Sequence, residues 1–351
     1  MQSLESKSLP LFGRLAVVVV PSPEHRWEDH PENPSRFELL LEPETLCPAA
    51  RWVHVEPRTA DFETLTRVHP RVYLEALAEV AHDGPGYVDP APTYVNSGSF
   101  EAARRAAGSV VAVVQQVIEG AADAGLALVR PPGHHATATV PMGFCLLNNV
   151  AVAARHAQSE GLERVLIVDI DVHHGNGTQE IFYEDRDVLY LSTHQWGIYP
   201  GSGNLDEMGA GAGLGATINV PLPPHAGDAT FASFGELVLE PAARRFRPEV
   251  ILVSAGFDTH WRDPLASLQL TAGGAYRLAS RLRALADEMC AGRLIYVLEG
   301  GYDPPALASC LAASACGLAG APPPSDPFGH PPFVESDALP VLRRVAALHH
   351  L

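Results

Sequence analysis

Lysine is all but missing: Lys7 is the only one, and every other basic residue apart from histidine is an arginine. That bias belongs to composition rather than to chemistry. Basic charge is scarce altogether, with 24 Lys and Arg against 41 Asp and Glu and a net charge of −17. Such a chain lacks the basic face by which nucleic acid or an anionic membrane is held, so neither is expected as a partner. A cationic ligand suits it better. Cysteine is sparse as well. Cys47, Cys145, Cys290, Cys310 and Cys316 are scattered, odd in number and without a C-x-x-C pair. This excludes a disulfide scaffold and a cysteine zinc knot and fits reduced thiols in a cytoplasm. Any metal must then be held by histidine and carboxylate. The densest apolar run, 15–20, is far too short to span a bilayer. No basic start, apolar stretch and small-residue cleavage site can be assembled at the N-terminus, so a cytoplasmic location is expected.

Apolar residues make up 46% of the 351, ample for a core. No repeat and no low-complexity linker divides the chain; the one composition break is the Pro-rich stretch 321–332. The chain is therefore read as one domain over 1–320, with 321–351 a Pro-rich segment and C-terminal helix packed on it. Short β-branched runs at 15–20, 126–129, 164–170, 188–192, 250–254 and 294–298 alternate with helical patterns at 100–119, 149–159, 231–246 and 272–289. Continuous apolar strands separated by helices imply a parallel sheet buried on both faces, a single α/β domain.

Ligands in such sheets bind beyond the carboxyl ends of the strands, and the residues there are chemically loaded. Run 126–129 leads into Arg130-Pro131-Pro132-Gly133-His134-His135, and 164–170 into Asp171-Val172-His173-His174-Gly175-Asn176. Run 188–192 leads to His194, 250–254 to Gly256-Phe257-Asp258, and 294–298 to Glu299-Gly300-Gly301-Tyr302. Asp169, Asp171 and His173 alternate, so they would share one face of a strand end. Joined by Asp258, the last two make a His/Asp₂ set with the open position a catalytic zinc needs. Taken singly, Asp171 could be a helix cap and His173 a polar group in a turn; the combination argues otherwise. Adjacent histidines are rarely required by packing, and His134 and His135 could divide proton work beside a metal-bound water, with Asp169 and Asn176 orienting them. The Tyr302 hydroxyl could donate to an oxyanion. Gly143-Phe144 and Tyr199 read as walls of a slot.

Five motifs, Arg130–Ala136, Gly143–Asn149, Asp169–Gly177, Ser254–Asp258 with Asp263-Pro264, and Leu298–Tyr302, resemble the zinc-dependent histone deacetylase superfamily, which includes bacterial deacetylase-like amidohydrolases and acetylpolyamine amidohydrolases. His25 and His30-Pro31-Glu32-Asn33-Pro34-Ser35-Arg36 look like its opening signature, and the resemblance runs from about residue 20 to 305. It implies a three-layer arginase–deacetylase fold with a mostly parallel sheet of about eight strands. It also implies zinc on Asp171, His173 and Asp258, with iron in its place left open. His134 and His135 match the tandem pair, with His135 the general base, and Asp169 and Asn176 match their partners. Asparagine at 176, where many nuclear-type members carry aspartate, is similar to the class II-like and bacterial branch.

Tyr302 matches the catalytic tyrosine. Asp169, Asp171, His173, Ser192 and Thr193 match one structural potassium site, and Phe182, Asp185 and Val188 resemble part of a second. Gly143, Phe144, Tyr199, Leu265 and Gly300 match substrate contacts, Tyr199 standing where phenylalanine is more usual, and Arg36 matches an arginine beside an acetate-release cavity. The activity implied is metal-dependent hydrolysis of an acylated lysine peptide or a small acylated amine. Leu265, where polyamine-specific relatives carry an acidic gatekeeper, leans against an acetylpolyamine amidohydrolase. Two other readings are carried: a binuclear manganese ureohydrolase, which would need a D-x-H-x-D arrangement, and a non-catalytic acyl-amine binder.

Overall fold

A computed structural model describes residues 12–351. Lys7 and the start of the chain, on which the reading of no leader segment rests, lie outside the described residues. The strands are β1 (Arg14–Val20) and β2 (Arg51–His54), the short antiparallel pair β3 (Gly86–Tyr87) and β4 (Tyr94–Val95), then β5 (Ala124–Val129), β6 (Val165–Asp169), β7 (Val188–Gln195), β8 (Thr217–Leu222), β9 (Val250–Ala255) and β10 (Leu294–Leu298). Eight of them form one sheet in the order β2-β1-β5-β10-β9-β6-β7-β8, every pairing parallel. This is the arginase–deacetylase architecture.

The apolar runs are strands because helices cover both faces. Along β6, Leu166 and Val168 point into one core while Val165 and Ile167 point into the other. The second core is closed by helices Ser99–Ile118 and Asn149–Ser159, the first by Ala272–Met289, Pro304–Ala319 and the C-terminal helix Leu339–Leu348.

Two sheet strands, β2 and β8, carried no clear apolar run in the sequence. They are the edges: β2 is partly exposed, while β8 is buried but alternates its apolar residues with Thr217 and Asn219, and it contains Pro221, tolerated where a main-chain donor has no neighbour to satisfy. The helix expected over 231–246 is interrupted: Asp228–Phe234 and Glu240–Phe246 flank a widened π turn at Gly235–Leu239, directly before Pro241. All five cysteines are buried and unbridged, yet Cys47 and Cys316 meet with their Sγ atoms 2.8 Å apart.

Residues 21–50 have little regular structure but are pinned by a buried charge cluster. Glu32 takes Arg130 in both arms, Nε to Oε1 at 2.5 Å and Nη2 to Oε2 at 2.8 Å, and Arg36 Nη1 at 3.1 Å. Arg130 also donates to the carbonyls of Pro21 and His25, while Arg36 donates to those of Glu299 and Gly301. Burial alone would raise the Glu32 carboxyl, but Arg130 and then Arg36 outweigh it and hold it at about 2.

A depressed carboxyl stabilises the fold above its unfolded pKa, and that contribution is lost as pH falls from 4.5 towards about 2. Glu32→Gln leaves two guanidinium groups buried without their counter-charge. It should cost about 3–5 kcal/mol in denaturant unfolding at pH 7 and flatten the acid limb in that window. An unchanged midpoint would refute this.

Candidate active site

The five loaded loops follow β5, β10, β9, β6 and β7, which are consecutive across the sheet, so they necessarily open side by side. β6 stops at Asp169. Asp171 and His173 therefore do not continue a strand face as the alternation suggested. The reason is local: Asp169 Oδ1 accepts from the N–H of Asp171 at 3.2 Å, and Asp171 Oδ1 from that of His173 at 2.9 Å. Carboxylates that bond the backbone two residues on turn the chain out of the ladder.

The turn still brings the expected set together. His173 Nδ1 lies 3.2 Å from both Asp171 Oδ1 and Asp258 Oδ2, and one ligand atom from each of the three residues falls within 4.8 Å of the others. Asp258 Oδ1 accepts from Val172 N at 2.9 Å, whereas its buried Oδ2 has no hydrogen-bond partner. Burial, and then Asp171 alongside, raise Asp258 to about 7. Burial would lower His173, but Asp171 and Asp258 raise it to about 10. One nitrogen, two carboxylates and an orphaned oxygen facing inward fit a divalent cation.

Gly300 lets the backbone close on this set. Its N–H donates to Asp171 Oδ2 at 2.9 Å, and a Cβ there would stand 2.2 Å from Asp258 Oδ2.

His134 and His135 lie beside the triad, ring centroids 4.0 Å apart. His134 Nδ1 meets Asp169 Oδ2 at 3.1 Å, an oxygen that also accepts from Tyr190 Oη at 3.0 Å. His135 Nδ1 meets Asn176 Oδ1 at 2.8 Å. Both expected orienting pairs are thus formed, and they set the two rings apart. Burial would lower His134, but Asp169 and Asp171 raise it to about 10; burial, with His134 and His173 adjacent, pushes His135 well below its ordinary value. The two adjacent rings are thus shifted in opposite directions, His134 up and His135 down.

A cavity of about 230 Å³ leads down to these rings. Phe144 and Tyr199 wall it, Tyr199 standing edge-on to His135 at 5.1 Å, with Leu265 at the rim and Gly143, Gly300 and Tyr302 deeper. Burial pushes the Tyr302 phenol well above its ordinary value, so it remains a donor. Asp263 holds both the rim and this tyrosine: Oδ1 accepts from Leu265 N at 3.0 Å and Oδ2 from Tyr302 N at 2.6 Å. Arg36 lies 4.8 Å from the centre of the Tyr302 ring, its donors spent on neighbouring carbonyls and Glu32.

Not every expected residue is at the site. His194 lies inside β7, buried between Ser192 Oγ and the Gly203 carbonyl, and does not line the cavity. Ser192 is Asp169's neighbour in the β6–β7 register, and Thr193 Oγ1 lies 3.4 Å from the Asp169 carbonyl. Phe182 O accepts from Asp185 N, while the Asp185 carboxylate pairs with Arg155 at 2.6 Å.

Two holding residues were given no role from the sequence: Glu299, named only as part of its loop, and Asp89. The buried Glu299 carboxylate accepts from the N–H groups of Gly133 and His134 and from Ser254 Oγ, tying three loops. Asp89 accepts from Ala91 N, Thr93 N and Gly143 N and shapes the rim. An acid directly after a strand and an Asp-Pro turn were the available signals.

Gly300→Ala should push Asp258 out of place and lower the divalent metal retained per chain after dialysis, read by atomic absorption; full stoichiometry would sink the packing argument.

The histone deacetylase domain model matches residues 30–318. Chloroplastic histone deacetylase 14 of Arabidopsis thaliana is 40% identical over 349 residues, covering 93% of this chain and 82% of that protein. A histone deacetylase-like amidohydrolase of Pseudomonas aeruginosa is 40% identical over 277 residues, covering 78% and 72%. A probable deacetylase of Archaeoglobus fulgidus is 41% identical over 281 residues, 78% of each. Among solved structures, the HD domain of HDA15 superposes with a TM-score of 0.85 at 33% identity, covering 96% of this chain and 95% of that one. With its motifs, sheet order and site geometry in agreement, the chain belongs to the histone deacetylase family and is a hydrolytic deacetylase.

Proposed function

We propose that the protein is a zinc-dependent amidohydrolase that removes an acetyl or related acyl group from a lysine side chain or a small amine. The observation that carries this reading is His135, its Nδ1 held by Asn176, beside the Asp171–His173–Asp258 set at the end of a cavity walled by Phe144 and Tyr199. Those three residues would hold the ion; the His/Asp₂ donor set suits zinc, and iron(II) is the alternative. When bound, such an ion polarises the amide carbonyl and lowers the pKa of water from 15.7 towards ~7.

The chain's own residues do the rest. Phe144 and Tyr199 clamp the methylenes leading to the amide, and the Gly143 carbonyl accepts its N–H. His135, its Nδ1–H held by Asn176, takes a proton from the attacking water at Nε2. Tyr302 donates its hydroxyl to the developing oxyanion. His134, its Nδ1 paired with Asp169, stabilises that negative charge, and the histidine pair then protonates the departing amine. Acetate is proposed to leave past Arg36, which stacks on Tyr302. Potassium is proposed between the Asp169–His173 turn and Ser192–Thr193, and a second ion at the carbonyls around Phe182, Asp185 and Val188.

The apolar Leu265 at the rim favours acylated lysine peptides or neutral acylated amines over polyamines. Among the described residues no helix is long and apolar enough to cross a membrane; the cytoplasm is the proposed location, although one relative named above is chloroplastic by name. The ureohydrolase reading lacks its D-x-H-x-D pattern, the strand end reading Asp169-Ile170-Asp171-Val172-His173.

The test is turnover of acetyl-lysine peptide, trifluoroacetyl-lysine, longer acyl-lysines and N-acetylputrescine with zinc and potassium present. Tyr302→Phe should lower kcat by ~10²–10³ at unchanged zinc content. Turnover confined to N-acetylputrescine would overturn the substrate reading. Tight binding without turnover at full zinc occupancy would favour the non-catalytic binder.

A further inference from the structure

Asn176 faces His135 with one end of its side-chain amide and Met142 with the other. Its Oδ1 is 2.8 Å from His135 Nδ1, and its Nδ2 is 3.3 Å from Met142 Sδ. A carboxamide turned end for end keeps its shape but reverses its hydrogen bonding. With Oδ1 towards His135, Nδ1 must carry the proton and Nε2 keeps its lone pair. With the NH₂ towards His135, Nδ1 must be bare and Nε2 protonated, and the ring can no longer accept a proton there. The amide and the imidazole can satisfy each other either way, so something else must choose.

The thioether chooses. A methionine sulfur accepts weakly and donates nothing, so it matches the NH₂ and repels the carbonyl oxygen. Met142 is itself fixed: its main chain exchanges hydrogen bonds with Cys145 at 3.0 and 2.9 Å. They close a two-residue turn in which Gly143 and Phe144 have φ of +56° and +70°. That turn presses on the imidazole, since a Cβ on Gly143 would stand 2.3 Å from His135 Cδ2. Met142 does not line the cavity, so its sulfur has no evident contact with substrate.

We propose that Met142 is a positioning residue for deacetylation: its sulfur orients the Asn176 amide, and through it sets the His135 tautomer that can accept a proton. The inference rests on the reading of His135 as general base. An aspartate at 176 has no NH₂ to misplace, so the contribution of the sulfur exists only beside asparagine.

Met142→Leu keeps the volume and removes the acceptor. In the zinc-loaded enzyme with acetyl-lysine peptide, kcat should fall about 3- to 10-fold, the span of one net hydrogen bond, with KM within about twofold. In the Asn176→Asp background the same replacement should make no further difference. By ¹⁵N NMR of the imidazoles, the wild type should show His135 protonated at Nδ1 and Met142→Leu a mixture of tautomers. Equal losses in both backgrounds would mean that Met142 only packs, and an unchanged tautomer signal would overturn the proposal. Should Asn176→Asp lack measurable turnover, the tautomer signal alone decides. Full activity in His135→Ala would remove the general-base reading while leaving the tautomer result standing on its own.

Discussion

A single buried carboxylate holds the two halves of this site in register. Glu32 has no strand or helix to support it, yet it receives Arg130 from the end of β5 and Arg36 from its own segment. Those arginines spend their remaining donors on carbonyls at Pro21, His25, Glu299 and Gly301. An irregular stretch is thereby fastened over the carboxyl ends of β1, β5 and β10. Buried ion pairs are weak evidence of net stability, since desolvation offsets most of the attraction. Here the pairing supplies geometry: it joins the segment around Glu32 to the ends of β5 and β10, whose loops Glu299 and Asp263 also fasten.

Carboxylates play three parts around the cavity, and burial separates them. Asp171 and Asp258 converge with His173, and Asp258 Oδ2 is left without a hydrogen-bond partner. Asp169 faces His134 and raises it, while burial, with His134 adjacent, lowers the neighbouring His135. Glu299, Asp89 and Asp263 bind main-chain N–H groups and shape loops. The same functional group thus serves as candidate ligand, as charge partner and as fastener according to what it meets. Two titratable rings 4.0 Å apart with opposite tendencies are what acid and base work in one pocket requires.

The central strands and the ends from which the chemistry hangs were legible in the sequence because burial on both faces leaves uninterrupted apolar runs. The edge strands β2 and β8 were not: β2 is partly exposed, and β8 alternates Ile218, Val220 and Leu222 with the buried polar Thr217 and Asn219. The residues of the Asp171–His173–Asp258 set were legible as types and spacings. Their mechanism of convergence was not: alternation along a strand predicted a shared face, whereas Asx-type turns after Asp169 bring them together. The fastening roles of Glu299 and Asp89 were not legible because an acid that binds backbone and an acid that faces water look alike until burial is known. His194 misled for the opposite reason, lying one turn of the pleat too early to leave the strand.

The two oxygens of Asp263 serve different clients, Leu265 at the mouth and Tyr302 at the base. The cavity rim and the tyrosine proposed as oxyanion donor therefore share one anchor about whose position both must agree. Remodelling the mouth by moving this backbone would disturb the donor as well, whereas changing only the Leu265 side chain leaves the anchor untouched. Variation in what may enter is thus channelled to side chains on an unmoving rim, and breadth of substrate can drift without retuning the reaction below.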